Sequence, residues 1–249
     1  MLKRERQAYI IHQVSLHNKV LSTDLSSDIE VSEDTIRRDL QELDKKGKLI
    51  KVHGGALSHS FSQISYPSKK VYAQQSKKII AEKASKLIKD GMFVLTGGGS
   101  TIVELARTLA PTLQATFISG SIPAIAEYMN HPNIEIIVIG DRLSKSSKIT
   151  LGKDATERIR NLKPDLCFLG INAIDVANGI TDSDWEVVQL KQSMIEASQK
   201  LVCLCISEKL NTLQPIKVCD LSKIDILITE LDREDPFLQP FIAAGITVL

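Results

Sequence analysis

The stretch MFVLTGGGSTIVELA, residues 92–106, joins a strand, a glycine turn and a helix, and it sets the fold of most of the chain. The apolar run 92–95 predicts a buried strand, and the pattern 101–106 predicts a helix. A strand that passes through glycines into a helix exposes backbone N–H groups, which commonly bind phosphate. The sequence therefore predicts a phosphate cradle over residues 97–101.

The sequence downstream of this cradle repeats the alternation of strand and helix. Apolar runs predict seven buried strands, and the amphipathic stretches between them predict covering helices. We therefore expect an α/β domain with an open, mostly parallel sheet flanked by helices. The predicted strands are 93–95, 116–119, 134–139, 166–169, 201–206, 224–228 and 246–249, and the predicted helices are 76–88, 101–109, 123–129, 154–162, 184–200 and 236–244.

The sequence upstream of the cradle has a different pattern of apolar residues and turns. Residues 1–57 alternate short helical patterns with tight turns, whereas the serine-rich stretch that follows lacks apolar periodicity. We therefore predict an N-terminal winged-helix domain over 1–57, a linker over 58–75 and an α/β effector-binding domain over 76–249.

The third helical pattern of the N-terminal domain is the candidate for reading DNA. Its apolar residues share one face, and a serine precedes its acidic first turn as a potential cap. Three short helices with adjacent arginines on the third favour a helix-turn-helix whose last helix enters the major groove. A solvated arginine pair is the simpler alternative. The apolar face is Ile36, Leu40 and Leu43, the cap is Ser32, and the residues left for DNA are Thr35, Arg37 and Arg38.

Two further segments complete the predicted DNA-binding surface. Ser22 is a plausible N-cap for the second helix. After Gly47, residues 48–56 alternate in the manner of a hairpin with a Gly-Gly tip. Such a hairpin would form a wing, with Lys51 and His53 near the DNA phosphates.

Composition narrows the possible functions. The 249 residues are 43% hydrophobic and 24% charged, with a net charge of +1, so DNA binding must depend on local placement of cations. The N-terminus lacks the apolar core of a signal peptide and no run approaches the roughly 18 apolar residues of a membrane span, so we expect a cytoplasmic protein. The four cysteines lack metal-ligand spacing, so we expect buried thiols and no metal.

The N-terminal motif resembles a known family. Val31-Ser32, the run from Thr35 to Leu40, and the segment from His53 to Ala56 resemble the winged helix-turn-helix of the DeoR family of bacterial transcriptional regulators. The two-part layout, the helix at 77–80 and the glycine turn resemble that family's effector domain. The resemblance covers nearly the whole chain.

The resemblance implies a repressor of a carbohydrate-metabolism operon. In the family, the C-terminal domain resembles sugar-phosphate isomerases and binds a phosphorylated sugar that alters DNA affinity. Since winged helix-turn-helix domains of this kind usually bind two-fold symmetric, double-stranded operator DNA, a homodimer or higher homo-oligomer is expected. The chain departs from the family where usual polar residues appear as Gly97, Gly120 and Cys205, which leaves a different ligand open.

The candidate effector residues lie at the carboxyl ends of predicted strands. Cradle glycines let backbone amides approach an anion, and the hydroxyls that follow add donors. The family resemblance implies that Glu186 and Lys191, on the long helix, lie near the ligand, since the family tends to carry an acid and a lysine at these positions. A solvated helix face is an almost equally good interpretation of each residue. A glycine turn without a ligand is the alternative for the cradle. The candidates are Gly98, Gly99, Ser100, Thr101, Ser119, Gly120, Ser121, Gly140, Asp175, Lys191 and Lys209.

Two other functions compete with an effector-responsive regulator. An enzyme acting on sugar phosphates would use the same cradle with Asp175 or Glu186 as base. We find no cluster of paired acids and no histidine partner for a cysteine, so we expect no catalytic residues. The turn lacks the G-x-G-x-x-G pattern, so we expect no nicotinamide cofactor. A DNA-binding regulator without a sugar-phosphate effector is the third possibility.

Overall fold

A computed structural model describes residues 1–58 and 71–249, which fold as two compact units, Met1–Tyr72 and Ala73–Leu249. Most of the predicted linker 58–75 lies outside the described residues, since 59–70 are not among them. In the part of the chain that is described, no helix has both the length and the apolar character needed to cross a membrane.

The N-terminal unit packs three helices against a small antiparallel sheet with the strand order β1-β3-β2. The predicted apolar face of the third helix is confirmed, because Ile36, Leu40 and Leu43 are buried in one core with residues of the first two helices. The elements are α1 (Lys3–His17), β1 (Lys19–Leu21), α2 (Ser22–Ile29), α3 (Glu33–Lys45), β2 (Ile50–Val52) and β3 (Gly55–Leu57).

Two local predictions in this unit are wrong. Ser22 does not cap α2: the N-cap is Leu21, and Ser22 is buried inside the helix while its N–H donates to the Gly54 carbonyl at 2.8 Å. The wing turn is His53-Gly54 rather than Gly-Gly, since Gly54 alone of the two glycines has a positive φ, +75°. Gly55 belongs to β3, where a side chain would collide with the Val20 carbonyl.

The second unit is built on a seven-stranded parallel sheet with the order β15-β14-β12-β9-β4-β5-β6. All seven predicted strands are present, and helices pack along the sheet as the α/β pattern predicts. The elements are α4 (Gln74–Ser85), β4 (Phe93–Thr96), α5 (Ser100–Thr108), β5 (Thr116–Ser119), α6 (Ile122–Tyr128), β6 (Glu135–Val138), β7 (Arg142–Leu143), β8 (Thr150–Leu151), α7 (Lys153–Arg160), β9 (Leu166–Gly170), β10 (Ala173–Asp175), β11 (Gly179–Asp182), α8 (Trp185–Ala197), β12 (Leu201–Leu204), β13 (Ile216–Cys219), β14 (Ile226–Ile228), α9 (Gln239–Ala243) and β15 (Thr247–Val248).

Three features of this unit differ from the prediction. The strands β10, β11 and β13 form a separate antiparallel sheet, and β7 pairs with β8. These strands have two to four residues each, too few for a clear period of two. The prediction that every strand of the main sheet is buried is wrong for β6, whose Ile137 and Val138 are exposed because an edge strand has one neighbour.

The strand order reverses between β4 and β9, and this reversal positions the site. From β4 the sheet grows through β5 to β6, and the chain then returns to β9 on the other side of β4. The Gly97 N–H donates to the Phe168 carbonyl at 2.9 Å, and a Cβ on Gly170 would lie 2.8 Å from the Gly98 oxygen. Open α/β sheets bind ligands at the carboxyl ends of the strands at such a reversal.

Candidate functional site

A groove of about 400 Å³ lies between the start of α3 and the wing of the N-terminal unit. It brings together four of the predicted DNA-binding residues, which come from α2, α3 and the wing hairpin. The groove residues are Ser22, Thr23, Glu33, Arg37, Lys51, Val52, His53 and Gly54. Sequence reasoning missed Thr23, which is an exposed residue in the first turn of α2.

The predicted residues of α3 have different surroundings. The Ser32 Oγ accepts a hydrogen bond from the Thr35 N–H at 3.3 Å, which confirms Ser32 as the N-cap, and it lies 3.0 Å from the Thr35 Oγ1. The Arg37 Nη1 donates to the Asp34 Oδ1 at 3.1 Å. Arg38 is exposed, and its side chain makes no hydrogen bond or ion pair with any of the residues described. Arg38 is therefore the arginine of this helix whose donors are open to a ligand.

Buried polar contacts hold α3 against α1. Asp39 is 2% exposed and accepts hydrogen bonds from the Arg6 Nε and, at 3.1 Å, from the Gln7 Nε2. The Gln7 Nε2 also donates to Glu42 at 3.1 Å. Sequence reasoning missed Asp39, although its position three residues after Ile36 puts it on the apolar face of α3. These contacts fix the orientation of the helix that carries Arg38.

The cradle has the backbone conformation of an anion site. Gly99 is the N-cap of α5 with φ +104°, a value that L side chains rarely adopt, and no side chain caps this helix. The first-turn N–H groups are therefore open to an anion, supported by the helix dipole. Ser100 and Thr101 are each 8% exposed. Gly98 lies against the Ile149 side chain, and a Cβ there would collide with it.

Two predicted lysines lie beside the cradle, at the carboxyl end of β9. The Lys191 Nζ donates to the Gly170 carbonyl at 3.1 Å and to the Asp182 Oδ2 at 2.8 Å. The Lys209 Nζ donates to the Ile171 carbonyl at 3.2 Å. Burial raises the pKa of Asp182, but the charge and the hydrogen bond of Lys191, together with the N–H of Ser183 and the charge of Lys209, hold this pKa below the usual value.

A third lysine, which sequence reasoning missed, belongs to the same region. Lys77 on α4 is 6% exposed, and burial together with the charge of Lys209 lowers its pKa to about 7. Burial also lowers the pKa of Lys209 to about 8. The signal for Lys77 was present in the sequence, since it stands three residues before Ile80 and so extends the buried stripe of the helix.

The structure does not bring Asp175 to the cradle. Its Oδ1 accepts hydrogen bonds from the N–H groups of Ala177 and Asn178, both at 3.0 Å, and from the Asn178 Nδ2 at 2.7 Å. These bonds, the Asn178 side chain first, lower the pKa of Asp175. The carboxylate therefore closes the β10–β11 turn. Glu186 is exposed and forms an ion pair with Arg142.

The loops after β5 and β6 form a packed wall. The Ser119 Oγ donates to the Thr96 carbonyl at 3.2 Å and accepts from the Ser121 N–H at 3.2 Å. A side chain on Gly120 or Gly140 would collide with Thr150, which donates its N–H to the Gly120 carbonyl at 2.9 Å. Four predicted effector residues are thus held in this wall by contacts within the protein: Ser119, Gly120, Ser121 and Gly140.

Comparison with known proteins agrees with this two-part arrangement. The DeoR C terminal sensor domain matches residues 72–231, and the DeoR-like helix-turn-helix domain matches residues 6–61. The chain belongs to the DeoR family. It is a DNA-binding transcriptional regulator with a C-terminal sensor domain.

Named DeoR-type regulators match the chain along its whole length. The regulator GolR of Listeria innocua is 29% identical over 250 residues, covering 100% of this chain and 98% of the relative. The regulator GlpR of Haloferax volcanii is 30% identical over 251 residues, with 100% and 98% covered. The repressor GlcR of Bacillus subtilis is 28% identical over 251 residues, with 100% and 96% covered.

The thiols of this DeoR-family chain are poor candidates for chemistry. All four cysteines are free, and burial raises the pKa of Cys167 and of Cys205 to about 12. A thiol attacks as its thiolate, so such groups are unreactive near neutral pH. Residues 1–58 and 71–249 contain no group of three or more His, Cys, Asp or Glu side chains that could hold a metal ion.

Proposed function

We propose that this DeoR-family regulator represses a carbohydrate-metabolism operon and that a phosphorylated sugar bound at the cradle changes its affinity for operator DNA. The observation that supports this proposal most is the convergence of the open α5 N-terminus with Lys191 and Lys209 at the reversal of the sheet. A helix N-terminus with neighbouring ammoniums matches the charge and the acceptor geometry of a phosphate.

DNA binding is assigned to α3 and the wing. With α3 in the major groove, the Arg38 guanidinium can donate two hydrogen bonds to a guanine, the commonest specific contact. Lys51 and His53 are exposed on the wing, where they would contact backbone phosphates. Two copies of this DNA-binding unit match the two halves of a two-fold symmetric operator, so the proposal includes a homodimer or a higher homo-oligomer.

Repression rather than activation is supported by the names of relatives. The Bacillus subtilis relative GlcR is named a transcriptional repressor. A ligand that favours one state of the regulator couples to DNA affinity, typically by about 1–3 kcal/mol. We expect the sugar phosphate to change operator affinity roughly 5- to 150-fold through this coupling.

The proposal does not include catalysis. An isomerase would need a base within hydrogen-bond reach of a sugar carbon's proton. The two acids that the sequence suggested for this role are engaged elsewhere, Asp175 in its own turn and Glu186 with Arg142. We therefore assign the cradle to sensing.

Two matched variants test the two halves of the proposal. Operator DNA is selected from a random library with the full chain, and thermal unfolding is followed against a panel of phosphorylated sugars. We expect Arg38→Ala to weaken operator binding by about 1–3 kcal/mol while keeping the thermal response to ligand. Ser100→Ala should reduce the thermal response, which for a ligand at 100 times its Kd is about 2.7 kcal/mol.

Two outcomes would contradict these assignments. Operator binding that is unchanged in Arg38→Ala removes Arg38 from base recognition. A folded protein that responds to no phosphorylated sugar, while it still binds its operator, removes the sugar-phosphate effector and leaves a regulator of another kind.

A further inference from the structure

Ser22 carries a buried hydroxyl at the start of α2. The residue is 7% exposed, and its hydroxyl makes no hydrogen bond with any residue that the structure describes. Its N–H, in contrast, donates to the Gly54 carbonyl at 2.8 Å. Leaving a buried polar group unsatisfied is unfavourable in free energy, and native structures retain such groups rarely. The Ser22 hydroxyl is therefore suited to a partner from outside the chain.

The accessible part of Ser22 faces the groove between α3 and the wing. Ser22 is one of the residues that line this groove of about 400 Å³. It stands in the first turn of α2, and no side chain caps the N-terminus of this helix. The N–H groups of an uncapped first turn point out of the helix at the positive end of its dipole. The hydroxyl and the first-turn amides thus supply donors from the same side of the groove.

Cationic side chains line the other sides of the groove. Arg37 comes from α3, and Lys51 and His53 come from the wing. The side chains of Lys51 and His53 are exposed and make no hydrogen bond with any described residue. The Arg37 Nη1 donates to Asp34, which leaves the other donors of this guanidinium open. Charged donors facing hydroxyl and amide donors match an oxyanion, which has several acceptor atoms.

Hydrogen bonds between backbone and neighbouring elements fix the walls of the groove. The bond from the Ser22 N–H to Gly54 ties the wing to α2. The Lys51 N–H donates to the Asp44 Oδ1 at 3.1 Å, which ties the wing to the last turn of α3. The donors of the groove are thus held in place before a ligand arrives. Preorganised donors lose little conformational entropy on binding.

We propose that this groove binds one phosphate of the DNA backbone and that the Ser22 hydroxyl donates a hydrogen bond to it. Arg37 and Lys51 supply the positive charge. With α3 in the major groove and the wing on neighbouring phosphates, the DNA strand between them crosses this groove. A phosphate contact of this kind fixes the register of the protein on the duplex without reading sequence. The inference rests on the proposed assignment of DNA binding to α3 and the wing.

Glu33 is the acid that lines the same groove. Its side chain is exposed and makes no hydrogen bond or ion pair with any described residue. A carboxylate repels a nearby anion, so Glu33 lowers the affinity of the groove for phosphate. A phosphate in the DNA backbone carries a single negative charge, whereas a phosphate monoester carries about 1.5 to 2 at pH 7. Glu33 therefore disfavours free phosphate and phosphorylated metabolites more than it disfavours DNA.

Uncharged phosphate analogues in the operator test the proposal. The operator is selected from a random library with the full chain, and duplexes are made that each carry one methylphosphonate in place of a phosphate. At one position in each half of the operator, we expect the methylphosphonate to weaken wild-type binding about tenfold and to weaken Ser22→Ala binding less than about threefold. The effects at the other positions should be the same in both proteins.

Ser22→Ala should weaken binding to the unmodified operator and to unrelated DNA by a similar factor, about tenfold, because a phosphate contact does not depend on sequence. The thermal midpoint should not change, since the hydroxyl bonds no described residue. Ser27→Ala is the matched control. Ser27 is an exposed serine of the same helix, outside the groove, and its Oγ donates to the Thr23 carbonyl at 3.2 Å. This variant should bind DNA as the wild type does.

A change at Glu33 should have the opposite sign. We expect Glu33→Gln to strengthen binding to all DNA by about threefold. Inorganic phosphate, at constant ionic strength, should also compete with DNA more strongly in this variant. Glu30→Gln is the control, because it changes the net charge equally and Glu30 does not line the groove. It should leave both measurements nearly unchanged.

The outcomes separate this inference from the proposed function. If Ser22→Ala binds DNA as tightly as the wild type while Arg38→Ala binds more weakly, the phosphate site is overturned and recognition by α3 stands. A loss of affinity in Glu33→Gln also overturns the site, because Glu33 would then accept from a base amino group. If the full chain selects no duplex from the library, the assignment of DNA binding to α3 and the wing fails, and this inference falls with it.

Discussion

The two units of this regulator place their cations in opposite environments. Arg37, Arg38 and Lys51 are exposed on the DNA-binding unit, whereas Lys77 and Lys191 of the sensor unit are buried. An exposed cation stays hydrated and meets the DNA polyanion by releasing counterions, so the contact depends on salt. A buried cation has lost hydration and needs an anion of matching charge and geometry. The surroundings of a cation therefore decide which anion it can recognise.

The largest effect that tests this comparison concerns two aspartates of one helix. Asp39 is buried against Arg6, and Asp34 forms an exposed pair with Arg37. We expect Asp39→Ala to lower the free energy of unfolding by about 3 kcal/mol, because it leaves a largely buried guanidinium without its partner. Asp34→Ala should cost less than about 1 kcal/mol. Urea unfolding measures both, and equal losses would contradict the distinction between buried and exposed charge.

A second effect is the pH dependence of the ligand-free protein. The pKa of Lys77 is about 7 and that of Lys209 about 8, below the ordinary value of 10.5 that applies in the unfolded chain. Between pH 7 and about 9 the unfolded chain therefore keeps lysine protons that the folded chain has lost, and folding stability rises with pH. Above this range the unfolded chain loses thiol protons that the buried cysteines keep, which lowers the stability. One proton of difference contributes at most about 1.4 kcal/mol per pH unit.

The control for the pH effect lies on the same helix. Lys77→Met should flatten the rise in stability between pH 7 and 9, whereas Lys78→Met should leave it unchanged, since Lys78 is exposed. Unfolding free energies measured at each pH give both slopes. If the unfolding free energy of the wild-type protein falls over this range, folding does not lower the pKa values of Lys77 and Lys209.

The smallest effect concerns salt. Lys51→Ala should weaken binding to all DNA sequences and reduce the slope of log K against log salt by about 0.9, the loss of one phosphate contact. Lys77→Met should leave this slope unchanged, because a buried lysine releases no counterion from DNA. Fluorescence anisotropy over a salt series measures both slopes, and a change in the Lys77 variant would place that residue at the DNA.

The sequence predicted those parts of the molecule that are built from local patterns. The apolar face of α3 follows from helical spacing, and the Ser32 cap follows from side-chain chemistry within one turn. The seven strands of the main sheet were found because buried parallel strands are continuous apolar runs. The exposure of β6 was missed, since strand order is set by contacts between distant segments.

The sequence did not predict the burial of charged residues that lie on the apolar faces of helices. Asp39 and Lys77 both continue a buried stripe, and the sequence alone does not show which partners make their burial tolerable. Arg6 reaches Asp39 from another helix, and Lys209 approaches Lys77 from the far end of the domain. Such pairings depend on the packing of whole elements.

The sequence by itself determined the helices, the main strands and the glycine cradle, because each depends on backbone preferences and on periodicity within a few residues. Only the tertiary structure decided that Asp175 closes a turn and that Lys209 joins the cradle. It also decided that the amide atoms of Gln74 are buried, with no hydrogen-bond partner among the residues that the structure describes. A residue is buried when segments that are distant in the chain pack around it and exclude water. Burial then makes an unpaired charge or an unsatisfied hydrogen-bonding group unfavourable in free energy.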